Sequence, residues 1–349
     1  MEYWVGKEID WERAQDELTG QGLTDGLPVV LPTRERIEAM LKQNGYAAEK
    51  VVCQLAPMMQ PATWRDIAIN AVMAGCKADY LPIIGATLEA MTAPEFNLTG
   101  ISTTTGSAAP LLIVNGPIAA KIGMNGGANA LGPGNRANAT IGRAISMCLR
   151  NIGGATPGEV DMATLGQPAK YSCCFAENEA QSPWAPLHVE RGFAREDSVV
   201  TVVGIGGTVE VVDSVSSTGA DLAQTFAQSM LIAGTVGGSG LLGGGEPLII
   251  MPPEQAVTCQ RSGYTKEKTK AEIFERAMMP IDRLPPSLRS HREGQGEGLP
   301  ASAGVLRVAR APGDIMIVVA GGVGVKACYA PTWGGGTKAV SRKLTLSSK

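Results

Sequence analysis

The sequence predicts an α/β protein of two α/β lobes, with Gly-rich loops lining an inter-lobe cleft. Three observations predict it. Apolar runs of strand length (PLLIV, VVTVVGI, PLIIM and DIMIVVAG) alternate with segments whose apolar residues recur at helical spacing. The 44 glycines cluster at the joints between these segments. The order helix, Gly/Thr loop, apolar strand, Pro-containing turn, helix occurs twice, so that PLLIVNGPIAAKIG from Pro110 reads against PLIIMPPEQAVTCQRSG from Pro247. The repeat suggests a pseudo-duplication, although independent α/β units or one continuous sheet would produce the same order.

Residues 1–50 read as an arm: a charged helix in MEYWVGKEIDWERAQDEL, a short Gly/Pro-bounded strand, and a helix begun at Thr33, a good N-cap type. A first lobe, 51–195, opens with the strand-like VVCQLAPMM. It continues with helices in TWRDIAINAVMAG and YLPIIGATLEAM, a polar loop TGISTTTGSAAP and the buried-strand run PLLIV. The Gly/Asn stretch GMNGGANALGPGNRANAT then leads into a helix starting near Asn138 to Thr140. A second lobe, 196–349, carries a strand pair or one long strand in VVTVVGIGGTVEVVD and a helix in GADLAQTFAQSMLIAG. TVGGSGLLGGGE precedes its strand and lacks a lysine, so it reads as close backbone packing or a flexible pocket wall rather than a nucleotide loop. Residues 281–304 have charge, proline and glycine without hydrophobic period, which predicts a flexible loop. The strand DIMIVVAG, a glycine turn and the basic KAVSRKLTLSSK complete the chain.

Composition excludes several functions. The 349 residues hold 30 Lys+Arg against 33 Asp+Glu, a formal charge of −3, so no basic field exists to hold nucleic acid. The longest apolar runs fall short of the roughly 20 residues of a membrane span, and no basic stretch leads into an apolar one at the N-terminus. A soluble, cytoplasmic protein is expected. Seven cysteines, an odd number, argue against a disulfide framework and leave buried thiols, metal ligands or reactive thiols.

Chemistry-bearing side chains concentrate in KYSCCFAENEAQSPWAPLHVERGF. Cys173 and Cys174 stand next to Glu177, Asn178, Glu179 and His188, one of two histidines in the chain. Adjacent strand residues point to opposite faces, so one thiol of the pair is expected in the core and the other elsewhere. Cys174 is nearer Glu177 and is the favoured nucleophile, with His188 or Glu177 moving protons. His188 follows Pro183 and Pro186 and precedes Glu190 and Arg191, which suggests an accessible ring. His291, in the predicted flexible loop, is a weaker candidate. Cys76, between two helices, is a second thiolate candidate, because a helix N-terminus favours the ionised form. Were Cys76, Cys173, Cys174 and His188 to meet, they would suit zinc or an iron–sulfur cluster, although no standard spacing is present. Arg136 and Asn138 at the start of a helix, with Arg143 near the same face, form a natural anion site, and Asn178 is a further substrate contact. A tight Asn-capped packing turn would have the same sequence.

TDGLPVVLPT, INAVMAGC, PLLIVNGP, GPGNRANATIGRA, FAENEAQSPWAPLHVERGF, the PEQA turn and the late VVAGG together resemble an uncharacterised family of bacterial proteins of similar length. That family is associated with thiol or selenol proteins named for a UGSC motif. This chain has neither UGSC nor CGSC. The resemblance transfers no catalytic residue; it implies sulfur chemistry and a thiol or selenol redox partner protein.

The leading expectation is a cysteine-dependent enzyme, a lyase, transferase or oxidoreductase. It would act on a small anionic organic molecule by cleavage or transfer at a carbon–sulfur or carbon–heteroatom bond, or by thiol redox. It would work without a cofactor or with zinc or an iron–sulfur cluster, and as a homo-oligomer. One alternative is a metal- or iron–sulfur-dependent hydratase or lyase; another is a non-catalytic ligand- or metal-binding subunit of a redox system.

Overall fold

The computed structural model describes residues 10–231, 245–287, 289–290 and 304–345. Helices and mixed sheets make the fold α/β, as the sequence predicts. In chain order the elements are α1 (Trp11–Gly20), α2 (Arg34–Asn44), β1 (Val51–Leu55), β2 (Gln60–Thr63), α3 (Trp64–Ala74), α4 (Leu81–Met91), α5 (Leu98–Thr103), β3 (Ala109–Asn115), α6 (Pro117–Lys121), α7 (Arg136–Asn151), β4 (Cys174–Ala176) and α8 (Leu187–Glu190). There follow β5 (Val199–Ile205), β6 (Val209–Val212), α9 (Gly219–Ser229), β7 (Leu248–Met251), α10 (Pro253–Arg261), α11 (Lys266–Arg276), β8 (Met278–Pro280), β9 (Val305–Arg307), β10 (Met316–Val319), β11 (Lys326–Ala330) and β12 (Val340–Lys343). Among the described residues no helix is long and apolar enough to cross a membrane.

Local chemistry sets several boundaries. Thr63 and Asp66 form a reciprocal capping box that starts α3, and Gly75 ends it in the left-handed conformation. Asn135 caps α7 by accepting from the Asn138 N–H at 3.0 Å, so this helix begins three or so residues before the predicted start. Two expectations fail locally. No strand forms between Thr24 and Thr33, where the chain runs extended and Val30 N–H donates to the Met73 carbonyl. Part of the supposed polar loop is instead α5, capped by Asn97.

Two four-stranded sheets carry the fold, in the orders β12-β5-β3-β4 and β10-β7-β11-β6. In each, one parallel pair (β3 with β4, β7 with β10) is extended by two antiparallel strands. The two sheets share this pattern of one parallel and two antiparallel pairs. Their edges are exchanged: β6 follows β5 but pairs with β11, and β12 follows β11 but pairs with β5. The expected division near residue 195 therefore does not separate the sheets, since β5 and β12 both belong to the first.

Alternation of side chains along the strands stacks these sheets into four layers. Leu112 and Val114 of β3 pack with α3, α4 and α7, while Ala109, Leu111 and Ile113 face Leu248, Ile250, Met316 and Val318 of the second sheet. Ile249, Met251, Ile317 and Val319 point the other way, onto α9, α10 and α11. The halves thus meet through a buried apolar layer between sheets. The expected glycine wall at 235–246 and His291 lie almost wholly outside the described residues, as does most of the predicted loop 281–304, which begins with a short turn at Ile281–Arg283.

Candidate functional site

The KYSCCFAENE segment places β4 beside β3, so that Asn115 and Glu177 emerge together where this parallel pair ends. Glu177 is 5% exposed, and its Oε2 accepts from Asn115 Nδ2 at 2.7 Å and from Leu187 N–H at 2.8 Å. Glu179 Oε1 accepts from the same Asn115 amide at 3.0 Å and from Gly116 N–H at 2.7 Å. Gly116 is required here: it has φ 82°, and a Cβ would lie 2.0 Å from the Asp197 carbonyl oxygen. Asn178 N–H donates to Val319 O at 2.7 Å, which brings the exit of β10 to the same place. Burial pushes the Glu177 carboxyl above its ordinary range, although Lys266 and the Leu187 and Asn115 donors oppose the shift. Glu190 behaves oppositely: burial would raise it, but Lys266 and Lys270 outweigh that and hold it low.

His188 joins this cluster and is fully buried, contrary to the accessible ring expected from its proline-rich surroundings. Its Nε2 lies 3.3 Å from Arg195 O, and its Nδ1 is 3.9 Å from Glu179 Oε1 with no hydrogen-bond partner. Glu177, Glu179 and His188 therefore converge as the sequence suggested, but around Asn115 rather than a thiol. Asn178 turns its amide to Gln181 at 2.7 Å. The cluster ties the ends of β3, β4 and β10 together; Asn115, Glu177 and His188 are buried in it, while Gly116, Asn178 and Glu179 are half-buried.

The paired cysteines are divided as strand geometry demands, yet both faces of β4 are covered. Cys174 enters the core beneath α7, and Cys173 borders the layer between the sheets. Gly142 of α7 allows this approach, because a Cβ there would come within 2.8 Å of Cys173 N and 3.3 Å of Cys174 Cβ. Cys76 lies near enough to Cys174 to affect its titration and donates its thiol to Thr140 O at 3.2 Å. Burial pushes Cys76 up to about 12 despite that bond and the charges of Arg136 and Arg143, and it raises Cys174 well above the ordinary thiol value. The helix-end thiolate expected at Cys76 is thus a neutral core thiol, and Cys174 does not stand where a nucleophile would. Burial likewise holds Cys173 up at about 12, with Cys328 adding to it. Because Cys173 and Cys174 face opposite ways and His188 belongs to the Asn115 cluster, the four suggested metal ligands do not meet. Among the described residues no three His, Cys, Asp or Glu side chains form a metal-binding group.

The Asn-rich turn is a packing device. Asn138 is buried; its Oδ1 accepts from Asn125 N–H at 3.0 Å, and its Nδ2 donates to Asn125 O at 2.8 Å and Ala130 O at 3.1 Å. Arg136 Nε donates to Gly75 O at 2.9 Å, satisfying the end of α3. Arg143 grips Asp25 at 2.8 and 2.7 Å and donates to Pro28 O at 3.0 Å. Burial alone would raise Asp25, but the Arg143 bond and charge outweigh it and keep the carboxylate low. The anion site expected from Arg136, Asn138 and Arg143 is therefore replaced by three intramolecular tethers.

An open site forms one step further on, at the carboxyl ends of β7 and β10. There Pro252, the Gly321–Gly324 turn and the loop around Asn129 enclose a crevice of about 460 Å³. The floor is the face that β6, β11 and β7 turn toward the first sheet. Cys328 sits on it, directly across from Glu210 and beside Ile250 in register, with Lys326 two residues earlier on the same face. Burial and the Glu210 charge hold the Cys328 thiol up at about 11, while a Val209 backbone bond opposes them. Cys53 also lines a cavity, of about 610 Å³, but there the cation Arg342 already faces Glu89 at 3.8 Å. Among the described residues Lys326 pairs with no carboxylate.

Compared with known proteins, the chain matches no family model, no curated protein and no solved structure. Sequence reasoning missed Cys328, Glu210 and Lys326. Their single local signal is a thiol following the glycine turn GGVGV; the carboxylate across from it comes from a strand remote in sequence.

Proposed function

We propose that the protein is a thiol-using enzyme acting on a small organic molecule in the strand-exit crevice, with Cys328 as the reacting thiol. The observation that carries this reading is the position of Cys328 on the floor of a cavity at the carboxyl ends of a parallel strand pair, opposite Glu210. At neutral pH the sulfur is a thiol, so as sulfur bonds to the substrate carbon the S–H bond breaks and the Glu210 carboxylate takes the proton, while the bond from that carbon to its heteroatom group breaks and the group leaves with the electron pair. Lys326 supplies a cation for an anionic group of the substrate. Glu177, Asn115 and His188 act as positioning residues that hold the strand ends forming the back of the crevice.

Labelling with iodoacetamide, mapped by peptide mass spectrometry, tests the proposal. Cys328 should alkylate well ahead of Cys76, Cys148 and Cys174. Glu210→Gln should slow that labelling, because the amide cannot take the proton that leaves as the carbon–sulfur bond forms. A Cys328 that labels no faster than the core thiols would sink the assignment.

A further inference from the structure

The opposite end of the first sheet holds another cavity. A chamber of about 630 Å³ lies between α7 and the segment 155–171, and it continues inward as a pocket of about 60 Å³ beneath the start of β3. Ser146, Arg150, Asp161 and Lys170 line both parts. We propose that this cavity binds a small carboxylate with an apolar or aromatic body. The site is independent of the thiol assignment: β3 alone, at about 3.3 Å per residue, puts roughly 20 Å between its two ends.

The floor carries unused hydrogen-bonding groups. Ser102 lines the inner pocket, is 4% exposed, and its Oγ has no partner. The buried Nε of Arg150 has none either, although the guanidinium is anchored by its Nη1 bond to the Thr24 carbonyl. Buried polar groups of this kind are normally satisfied, and a guanidinium nitrogen can be satisfied only by an acceptor. Charge selects an anion. Asp25 is committed to Arg143, and Asp161 holds Lys170 at 2.6 Å, so among the described residues Arg150 is left without a carboxylate. A ligand carboxylate would take Arg150 Nε–H on one oxygen and the Ser102 hydroxyl on the other, forming charge-assisted bonds in a sheltered pocket. The mouth is of different character: Leu165 is 94% exposed and Tyr171 53%, beside Pro157 and Pro168, which suits an apolar body on the same ligand.

Calorimetric titration of the whole protein with benzoate, and with acetate for comparison, tests the proposal. Benzoate should bind at one site, and acetate roughly tenfold or more weakly, since it leaves the apolar mouth unfilled. Ser102→Ala removes only an unpartnered hydroxyl and should weaken benzoate at least roughly tenfold without lowering the unliganded Tm; Arg150→Gln should weaken it further. Benzoate should leave iodoacetamide labelling of Cys328 unchanged, so failure here is distinct from failure of the thiol assignment. Absence of benzoate binding, equal affinity in wild type and Ser102→Ala, or acetate binding as tightly as benzoate would overturn the proposal. Should Arg150→Gln fail to fold, Ser102→Ala still decides the matter.

Discussion

Glu177 shows how one buried side chain can be both structural and titratable. It accepts from Asn115 and from Leu187 N–H, and Val319 N–H approaches its other oxygen at 3.5 Å, so four segments depend on one carboxyl group. Burial raises its pKa in the folded state above the unfolded value, with Lys266 opposing and Glu179 reinforcing the shift. The sign follows directly. The folded protein retains a proton that the unfolded chain has released, so this group's contribution to stability falls as pH rises from the unfolded pKa through the folded one. Glu177→Gln keeps an acceptor for Asn115 and Leu187 and carries no titrating proton. Urea unfolding midpoints taken between about pH 4 and 7 should therefore decline less with pH in the variant than in the wild type. Parallel midpoints would show that the carboxyl titrates alike in both states. Cys174 and Cys328 illustrate the same physics for sulfur: burial raises both, and cavity access, not pKa, separates them.

At the scale of elements, α7 is the part of the first half on which most depends. Its Gly142 touches the Cys173–Cys174 backbone, its Asn138 holds the Asn-rich turn, and its Arg143 anchors Asp25. In an ordinary helix a glycine-to-alanine change stabilises by about 1 kcal/mol. Here the new methyl would meet Ser172 Oγ at 2.4 Å and Cys173 N at 2.8 Å, and backbone cannot yield cheaply. Gly142→Ala should instead cost about 1–3 kcal/mol in urea denaturation; a stabilised variant would mean that β4 does not pack this closely. The helix was legible in the sequence to within a few residues, as were α3, β3 and the matching strand turns after Pro110 and Pro247. The role of its polar residues was not. Asn138, Arg136 and Arg143 look like ligand groups because sequence shows donors without their acceptors, and the acceptors (Asn125, Gly75 and Asp25) arrive through tertiary folding. The cysteine pair misled for a related reason: alternation correctly separates the two thiols, but four stacked layers bury both sides of β4. Cys328 was invisible as a site because its neighbours Glu210 and Ile250 reach it by strand pairing alone.

At the scale of the molecule, the exchanged edge strands bind the two halves together. Were the halves merely adjacent, each could lose its structure alone, and the apolar layer of Leu111, Ile113, Phe175, Ile250 and Val318 would be the sole link between them. Instead β12 completes the first sheet after the chain has built β11 in the second, and β6 completes the second after β5. Opening one sheet then removes an edge whose chain neighbours lie in the other, and it exposes a face of each. The expected behaviour is a single cooperative unit. Hydrogen exchange followed by mass spectrometry should show β3 and β5 opening with the same free energy as β7 and β10. Ending the chain at Thr337 removes β12, leaves the Val199–Val202 stretch of β5 paired with β3 alone, and should lower protection in both sheets together. If the second sheet kept its full protection while the first lost it, the exchanged strands would be decoration and the halves independent domains. Cooperative loss would also explain how the crevice at β7 and β10 stays shaped by Glu177, since the carboxyl and the cavity belong to different halves joined by the Asn178–Val319 bond.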